Sequence, residues 1–310
     1  MSKILVTGIN GFVGKHLARE IHSQGHEVIG VGLRETEVDN SIKDIVHSYY
    51  QCDTTDVAAL EKVPLENASS VINLAGLANV GASFDSPDLY MKVNVEVLSV
   101  LGACLLERSP EARMIAISTG ALYDPNQPMP LDETSKVIDT GSPYALSKLA
   151  MEQSAQELRE KGQDCVVVRP FNHIGPGQGL GFLIPDLVSK LQNYKESGAP
   201  VNAGNLKTVR DYSDVRDIAC AYTSLAIAER LDHDLYNVCS GSGQSGEDIV
   251  RVICSALNID RNTLDIEVDQ SLIRPTDPQE IVGNHNRLSS DTGWQPRYSL
   301  DQTIKDIVNS

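Results

Sequence analysis

The chain has 310 residues, 41% of them hydrophobic, enough to bury the core of one large α/β domain or of two lobes. Its 26 basic and 42 acidic residues leave a formal net charge of −16. That balance argues against a nucleic-acid-binding surface and makes any polyanionic ligand depend on locally placed arginines.

In chain order, "KILVTG" (3–8) reads as a buried strand, followed by a helix through "VGKHLAREIHSQ" and a second strand, "HEVIGVGL" (26–33). "HSYYQCD" (47–53) reads as a short third strand and "SVINLAG" (70–76) as a fourth. A long helix is expected near 87–108, a fifth strand at "RMIAIST" (113–119), a helix from Ser142 and a sixth strand at "DCVVVRP" (164–170). Short apolar strands joined by helices mean a parallel sheet covered on both faces, and right-handed crossovers make it doubly wound, a Rossmann sheet. "FNHIGPGQGLGF" (171–182) reads as a glycine-rich loop and marks the boundary between a dinucleotide-binding domain (1–170) and a smaller C-terminal substrate-binding lobe (171–310). Helices follow near 183–195, 214–230 and 245–257, with strands near 234–239 and 264–268; part of this half, about 205–240, is expected to return to the first sheet.

Six cysteines stand far apart, at 52, 104, 165, 220, 239 and 254, with no CxxC pair, which reads as reduced thiols in the cytoplasm. The seven histidines form no HExxH or comparable cluster, so no metal is expected. A strand beginning by Lys3 leaves no room for a signal peptide. No apolar run is read as approaching membrane-spanning length.

Residues 7–14, "TGINGFVG", carry glycines at 8, 11 and 14 between the first strand and its helix. There Gly8, Gly11 and Gly14 permit a tight turn and close approach of a pyrophosphate, while the helix N-terminus, with Phe12 and Val13, offers N–H groups and a positive dipole. Where an acid would bind the adenosine ribose hydroxyls stands Gly32, with Arg34 two residues on, which favours NADPH; nearby Glu35 and Glu37 pull toward NADH. Asp53 either reaches the adenine or solubilises a strand end. In "SPYALSK" (142–148), Ser142 is a good N-cap and Pro143 suits the first helical turn. Tyr144 and Lys148 then share a helix face one turn apart, a pattern that alone fits either chemistry or a surface aromatic beside a solvated amine.

Together, "TGINGFVG", "NLAG" (73–76), "STGALY" (118–123), "YALSK" (144–148) and "RPFNHIGPGQ" (169–178) resemble the extended short-chain dehydrogenase/reductase family that modifies nucleotide sugars. The resemblance implies Tyr144 as acid/base, Lys148 as its helper and a holder of the nicotinamide ribose, and Thr119 rather than Ser118 as the completing hydroxyl. It places Leu74, Ala75 and Gly76 along the cofactor and makes Asn94 a support for the active-site helix. Family dehydratases carry a carboxylate just after the threonine; Gly120 and Ala121 stand there instead, which argues against dehydration. "VRDYSDVRD" (209–217), "YNVCSG" (236–241), "RPTD" (274–277) and "TGWQP" (292–296) are similar to the reductases of this family that act on GDP-linked 4-keto-6-deoxyhexoses. By that likeness Asn172, Arg210 and Arg274 bind a GDP-linked 6-deoxyhexose, Ser83 touches the sugar, and His173 is either a ligand-loop residue or a satisfied histidine. Guanidiniums suit a diphosphate because they are always charged and bidentate. Ala121 and Asp124-Pro125 depart from the expected motif and leave the hexose and its stereochemistry open. The alternatives are a 4-epimerase with tightly held NAD and a non-catalytic dinucleotide sensor. The helices near 87–108 and 142–161 are the family's dimer face, so a homodimer is expected.

Overall fold

Buried strands set the frame. In the computed structural model, which describes residues 1–138, 141–272 and 278–310, seven parallel strands line up in the order β10-β6-β5-β4-β1-β2-β3. They are β1 (Lys3–Thr7), β2 (Glu27–Gly32), β3 (Val46–Gln51), β4 (Ser70–Asn73), β5 (Arg113–Ile117), β6 (Cys165–Pro170) and, from far along the chain, β10 (Leu235–Val238). Alternate residues feed two cores, as a strand's twofold period requires. Ile4, Val6, Ile72 and Ile115 face α1 (Phe12–Ser23) and α7 (Val215–Ile227). Leu5, Val71, Met114 and Ala116 face α4 (Pro87–Arg108) and α5 (Pro143–Glu160). Two single-turn helices, α2 (Val57–Leu60) and α3 (Val80–Ser83), lie on the connections.

By length and composition α4 could cross a membrane, which the reading of apolar runs did not anticipate. Here one of its faces, with Val97, Leu98, Leu101 and Leu105, fills the second core, and Gly102 lets it approach Leu158 of α5 closely. All six cysteines are buried and unbridged.

The second lobe is built from short pieces. A four-stranded sheet joins β7 (Asn172–Ile174), β9 (Val209–Asp214), β11 (Gly243–Ser245) and β13 (Glu280–Ile281), and β8 (Val201–Ala203) pairs with β12 (Ile266–Val268). Helices α6 (Leu183–Ser197), α8 (Gly246–Leu257) and α10 (Leu300–Val308) cover them around a third core that includes Leu187, Leu191, Ile249, Ile253 and Ile304. Segment 171–182, read as loop, contains β7. Of the segment 205–240, α7 and β10 join the first sheet, whereas β9 lies in the lobe sheet. The chain returns once more through α9 (Asn286–Thr292), which brings Leu288 and the following Trp294 into the first core.

Asp211, buried on β9, ties these crossings together. Its carboxylate accepts from Ser240 N at 2.8 Å, Ser240 Oγ at 2.7 Å, Gly241 N at 2.9 Å and Gly283 N at 3.3 Å. Removing that acceptor orphans the buried Gly283 N–H, at about 1–3 kcal/mol, and breaks three part-buried bonds that hold the turn after β10. Asp211→Ala is therefore expected to lower the melting temperature by at least about 5 °C in a calorimetric scan.

Candidate active site

The first sheet delivers the site to the carboxyl ends of β1, β4 and β5. Gly8 has φ +65°, a left-handed value that suits glycine. A Cβ on Gly14 would lie 2.5 Å from the carbonyl oxygens of Gly8 and Ile9, so the helix can follow the turn this tightly only with glycine there. Gly11 N–H closes the turn on Gly8 O at 2.9 Å. Gly11 is also the N-cap of α1 and has no side chain to occupy the first-turn N–H groups, among them those of Phe12 and Val13. Thr7 fastens the neighbouring strand end: its Oγ1 donates to Asn73 Oδ1 at 2.6 Å and accepts from Ala75 N at 3.0 Å. Leu74, Ala75 and Gly76 are thereby brought alongside Gly8. A Cβ on Gly76 would come 2.8 Å from Asn94 Oδ1 and 3.7 Å from Lys148 Nζ. A glycine-smoothed bed thus runs from an open helix N-terminus to the lysine, and it fits a dinucleotide. Arg34 is exposed past the end of β2. Asp53 is exposed too, and one of its oxygens already holds Thr55 N at 3.0 Å and Thr55 Oγ1 at 2.7 Å.

Ser142 starts α5 by accepting from Ala145 N at 3.2 Å, which aims Tyr144 and Lys148 at the end of β5. Tyr144 is 8% exposed, with the Thr119 hydroxyl beside its phenol. Burial raises the phenol's pKa, and the nearby Thr119 side chain works against that rise. Thr119 Oγ1 accepts from Ala121 N at 3.2 Å, so its own proton is available to donate. Lys148 Nζ donates to Ile117 O at 2.8 Å; burial pulls its pKa down to about 8, against the charge of Glu152. Asn94 ties α4 into the site, accepting from Leu77 N at 2.8 Å and donating to Leu77 O at 3.1 Å and Ser147 Oγ at 2.8 Å.

Behind these residues lies support that the sequence reading did not single out. Glu152 follows Lys148 by one more turn of α5. It accepts from Ser118 Oγ at 2.5 Å and from Arg169 at 2.8 and 2.6 Å. The Ser118 hydroxyl is therefore taken up by Glu152, while that of Thr119 is not. The i, i+4 spacing of Tyr144, Lys148 and Glu152 was a visible signal for Glu152; nothing local marked Arg169 as its partner.

On the lobe side, register sets Asn172 beside Tyr212, with Arg210 two residues earlier on the same face of β9. Asn172 is exposed and Arg210 half-buried, its Nη1 donating to Val209 O at 2.7 Å. Arg274 lies outside the described residues. Ser83 stands apart: it is fully buried and donates its hydroxyl to Val80 O at 2.6 Å. The His173 ring stacks on Phe12 with centroids 6.2 Å apart, and its pKa is lowered by burial. His16 Nε2 lies 2.9 Å from Pro176 O, so two contacts tie the 171–178 segment to the cofactor helix. Gly120 and Ala121 bring no carboxylate, and Asp124 Oδ1 is turned to Asn126 N at 2.9 Å. Among the described residues no cluster suits a metal ion.

A doubly wound sheet with a glycine bed and a Thr–Tyr–Lys cluster at its carboxyl edge defines a dinucleotide-dependent enzyme class. The chain belongs to the NAD dependent epimerase/dehydratase family, whose model matches residues 4–239. It is 29% identical to GDP-6-deoxy-D-mannose reductase of Pseudomonas aeruginosa over 99% of this chain and 96% of that one. It is 28% identical to GDP-6-deoxy-D-talose 4-dehydrogenase of Aggregatibacter actinomycetemcomitans (97% and 95%) and 26% identical to UDP-glucose 4-epimerase of Pasteurella multocida (98% and 95%). Among solved structures, RMD from Pseudomonas aeruginosa complexed with NADPH superposes with a TM-score of 0.84 at 27% identity, covering 100% of this chain and 98% of that one. The fold and family are those expected, and the protein is an enzyme of nucleotide-sugar modification.

The buried lysine gives a pH signature. Its folded pKa, about 8, lies below the ordinary value of about 10.4 for a free lysine. Between those values the unfolded chain binds the extra proton, so this group's contribution to stability improves as pH rises from about 8 to about 10.4. Below pH 8 the buried charge costs stability in full. Lys148→Met should thus be most favourable to stability, relative to the unmutated protein, at pH 7, and lose that advantage by pH 10 in paired thermal melts. An advantage that does not shrink across that range would contradict the burial argument.

Proposed function

We propose that the protein reduces the 4-keto group of a nucleotide-linked 6-deoxyhexose, converting GDP-4-keto-6-deoxy-D-mannose to GDP-D-rhamnose with NADPH or NADH, NADPH being preferred. The observation that carries this reading is the Thr119–Tyr144–Lys148 cluster with no carboxylate at the two positions after Thr119. Proton transfer to a carbonyl oxygen needs one positioned acid and a hydrogen-bond donor, whereas dehydration needs a further acid and base. The reductase and the talose dehydrogenase among the relatives support a GDP-linked substrate.

The glycine bed of Gly8, Gly11, Gly14 and Gly76 would hold the dinucleotide, which would supply the hydride. Tyr144 gives its proton to the oxygen that develops on carbon 4, and Thr119 donates a hydrogen bond to the same oxygen. Lys148, held by Ile117 O, keeps a positive charge one helical turn from the phenol, which eases formation of the phenolate that proton donation leaves behind. Asn172, Arg210 and Arg274 hold the nucleotide diphosphate, and the charge of the two arginines offsets the acidic background. Residues 1–170 act as the dinucleotide half and the lobe as the sugar-nucleotide half. The outward faces of α4 and α5 pair two copies in a homodimer, and the six unbridged cysteines support a cytoplasmic setting.

A second reading is a nucleotide-sugar 4-epimerase, supported by the UDP-glucose 4-epimerase relative. It predicts NAD co-purifying at close to one per chain and no net consumption of reduced nicotinamide. The test is turnover of freshly made GDP-4-keto-6-deoxy-D-mannose with NADPH and NADH in parallel, followed by absorbance and by NMR of the sugar. Consumption yielding a GDP-6-deoxyhexose is expected, and its absence with both cofactors would overturn the reductase reading. Tyr144→Phe should cut turnover by about 10²- to 10⁴-fold while cofactor affinity stays within about twofold. Turnover within tenfold of the unmutated enzyme would remove Tyr144 from the mechanism.

A further inference from the structure

At the end of β2 the molecule holds a feature that the proton chemistry does not use. A Cβ on Gly32 would lie 2.2 Å from the hydroxyl of Tyr49, which reaches over from β3. The same ring passes beneath Gly30, where a Cβ would come 3.3 Å from Tyr49 Cδ2. Tyr49 donates its hydroxyl to Glu35 O at 2.8 Å. Asn10, inside the glycine loop, donates to Glu37 O at 3.1 Å and accepts from Asp39 N at 2.9 Å. Segment 33–39 is thus held by the cofactor loop on one side and by β3 on the other.

We propose that Tyr49 determines which dinucleotide the protein accepts: its neutral phenol fills the side-chain position at residue 32, keeps a carboxylate away from the adenosine ribose, and holds Arg34 where a 2′-phosphate would meet it. The inference rests on the reading that the glycine bed holds a nicotinamide dinucleotide.

Two arguments carry it. The first is steric. An acid that would accept hydrogen bonds from both ribose hydroxyls must leave the backbone at residue 32, and the phenol oxygen already fills that space. The second is electrostatic. Of the acids in the segment, Asp39 faces Lys15 at 3.5 Å and Glu37 faces Lys43 at 3.8 Å. Among the described residues no carboxylate pairs with Arg34, which is exposed and offers the flat, permanently charged fork that phosphate oxygens accept. Glu35 is the opposing charge, and its field reaches Tyr49. Replacing it with Gln should therefore sharpen the preference for a phosphate.

The test uses fragments that carry the ribose end and cannot react. Binding of adenosine 2′,5′-bisphosphate and of 5′-AMP is measured by calorimetry on the full chain, with NADPH and NADH alongside. The unmutated protein is expected to favour the bisphosphate by at least about tenfold, the equivalent of one phosphate contact near 1.4 kcal/mol. Tyr49→Phe, which keeps the ring and loses the bond to Glu35 O, should shrink that ratio several-fold; Tyr49→Ala should shrink it further. Gly32→Asp alone should weaken both fragments without inverting the ratio, because Tyr49 blocks the new side chain. Gly32→Asp with Tyr49→Ala should invert it. An unmutated protein without preference for the bisphosphate, a ratio unmoved in both Tyr49 variants, or clean inversion by Gly32→Asp alone would each overturn the proposal. Because the fragments undergo no turnover, failure of the ketoreductase assay leaves this result standing. An unmutated protein that turns over the ketone yet shows no preference for the bisphosphate sinks the role of Tyr49 alone.

Discussion

A lysine ammonium held out of water must find compensating polarity close by, and Lys148 finds it first in Ile117 O at 2.8 Å. Its next source is Glu152, which would itself be costly to bury alone. Arg169 meets both carboxylate oxygens of Glu152, and Ser118 adds a third bond. The Arg169 guanidinium lies over the Tyr123 ring at 4.8 Å, and Tyr123 in turn donates to Asn237 Oδ1 at 2.7 Å. Asn237 N reaches Glu133, which faces Arg287 at 3.5 Å. One buried charge thus commits residues from β5, α5, β6 and β10 to a single connected arrangement. Such a network is worth having only if its members are satisfied, and most of these are.

The same rule governs how the lobe is attached. Asp211 and Asp217 are both buried carboxylates whose pKa values are raised by desolvation and pulled back by backbone N–H groups. Asp211 gathers the turn after β10 and the entry to Gly283. Asp217 accepts from the backbone N–H of Arg297 and Tyr298, each at 3.1 Å. Apolar packing holds each half together, and these carboxylates fix how segments distant in sequence enter it. Strand β9 of the lobe and the helix packed on the first sheet are therefore built on anchors of the same kind.

Most of the first sheet was legible in the sequence because its inner strands are continuous apolar runs buried on both faces, unlike the edge strand β3, VHSYYQ. The glycine loop was legible because its spacing falls between a strand and a helix. The lobe was harder. Strands β7, β8, β11 and β13 have two or three residues each, too few for any period to register. Strand β9 carries Arg210, Asp211, Ser213 and Asp214, and a polar strand of that kind is recognisable only through its partners. At the site, Tyr144, Lys148 and Thr119 were readable from spacing and resemblance. Arg169 and Tyr49 were not, because each acts on a residue that only the sheet brings near it. The likeness implies Ser83 at the sugar, whereas its buried hydroxyl donates to a backbone carbonyl.

Trp294 has a consequence for how the molecule comes into being. Its indole is 3% exposed within the first core, and its N–H donates to Asp217 O at 3.0 Å. The core that includes Ile4 thus also takes in a residue 290 positions later in the sequence. During synthesis the amino-terminal strands leave the ribosome long before their last partner exists. Closure joins residues far apart in sequence, an arrangement that slows folding and leaves apolar surface open to chaperones in the interval. The first core can be completed only once Trp294 has been made.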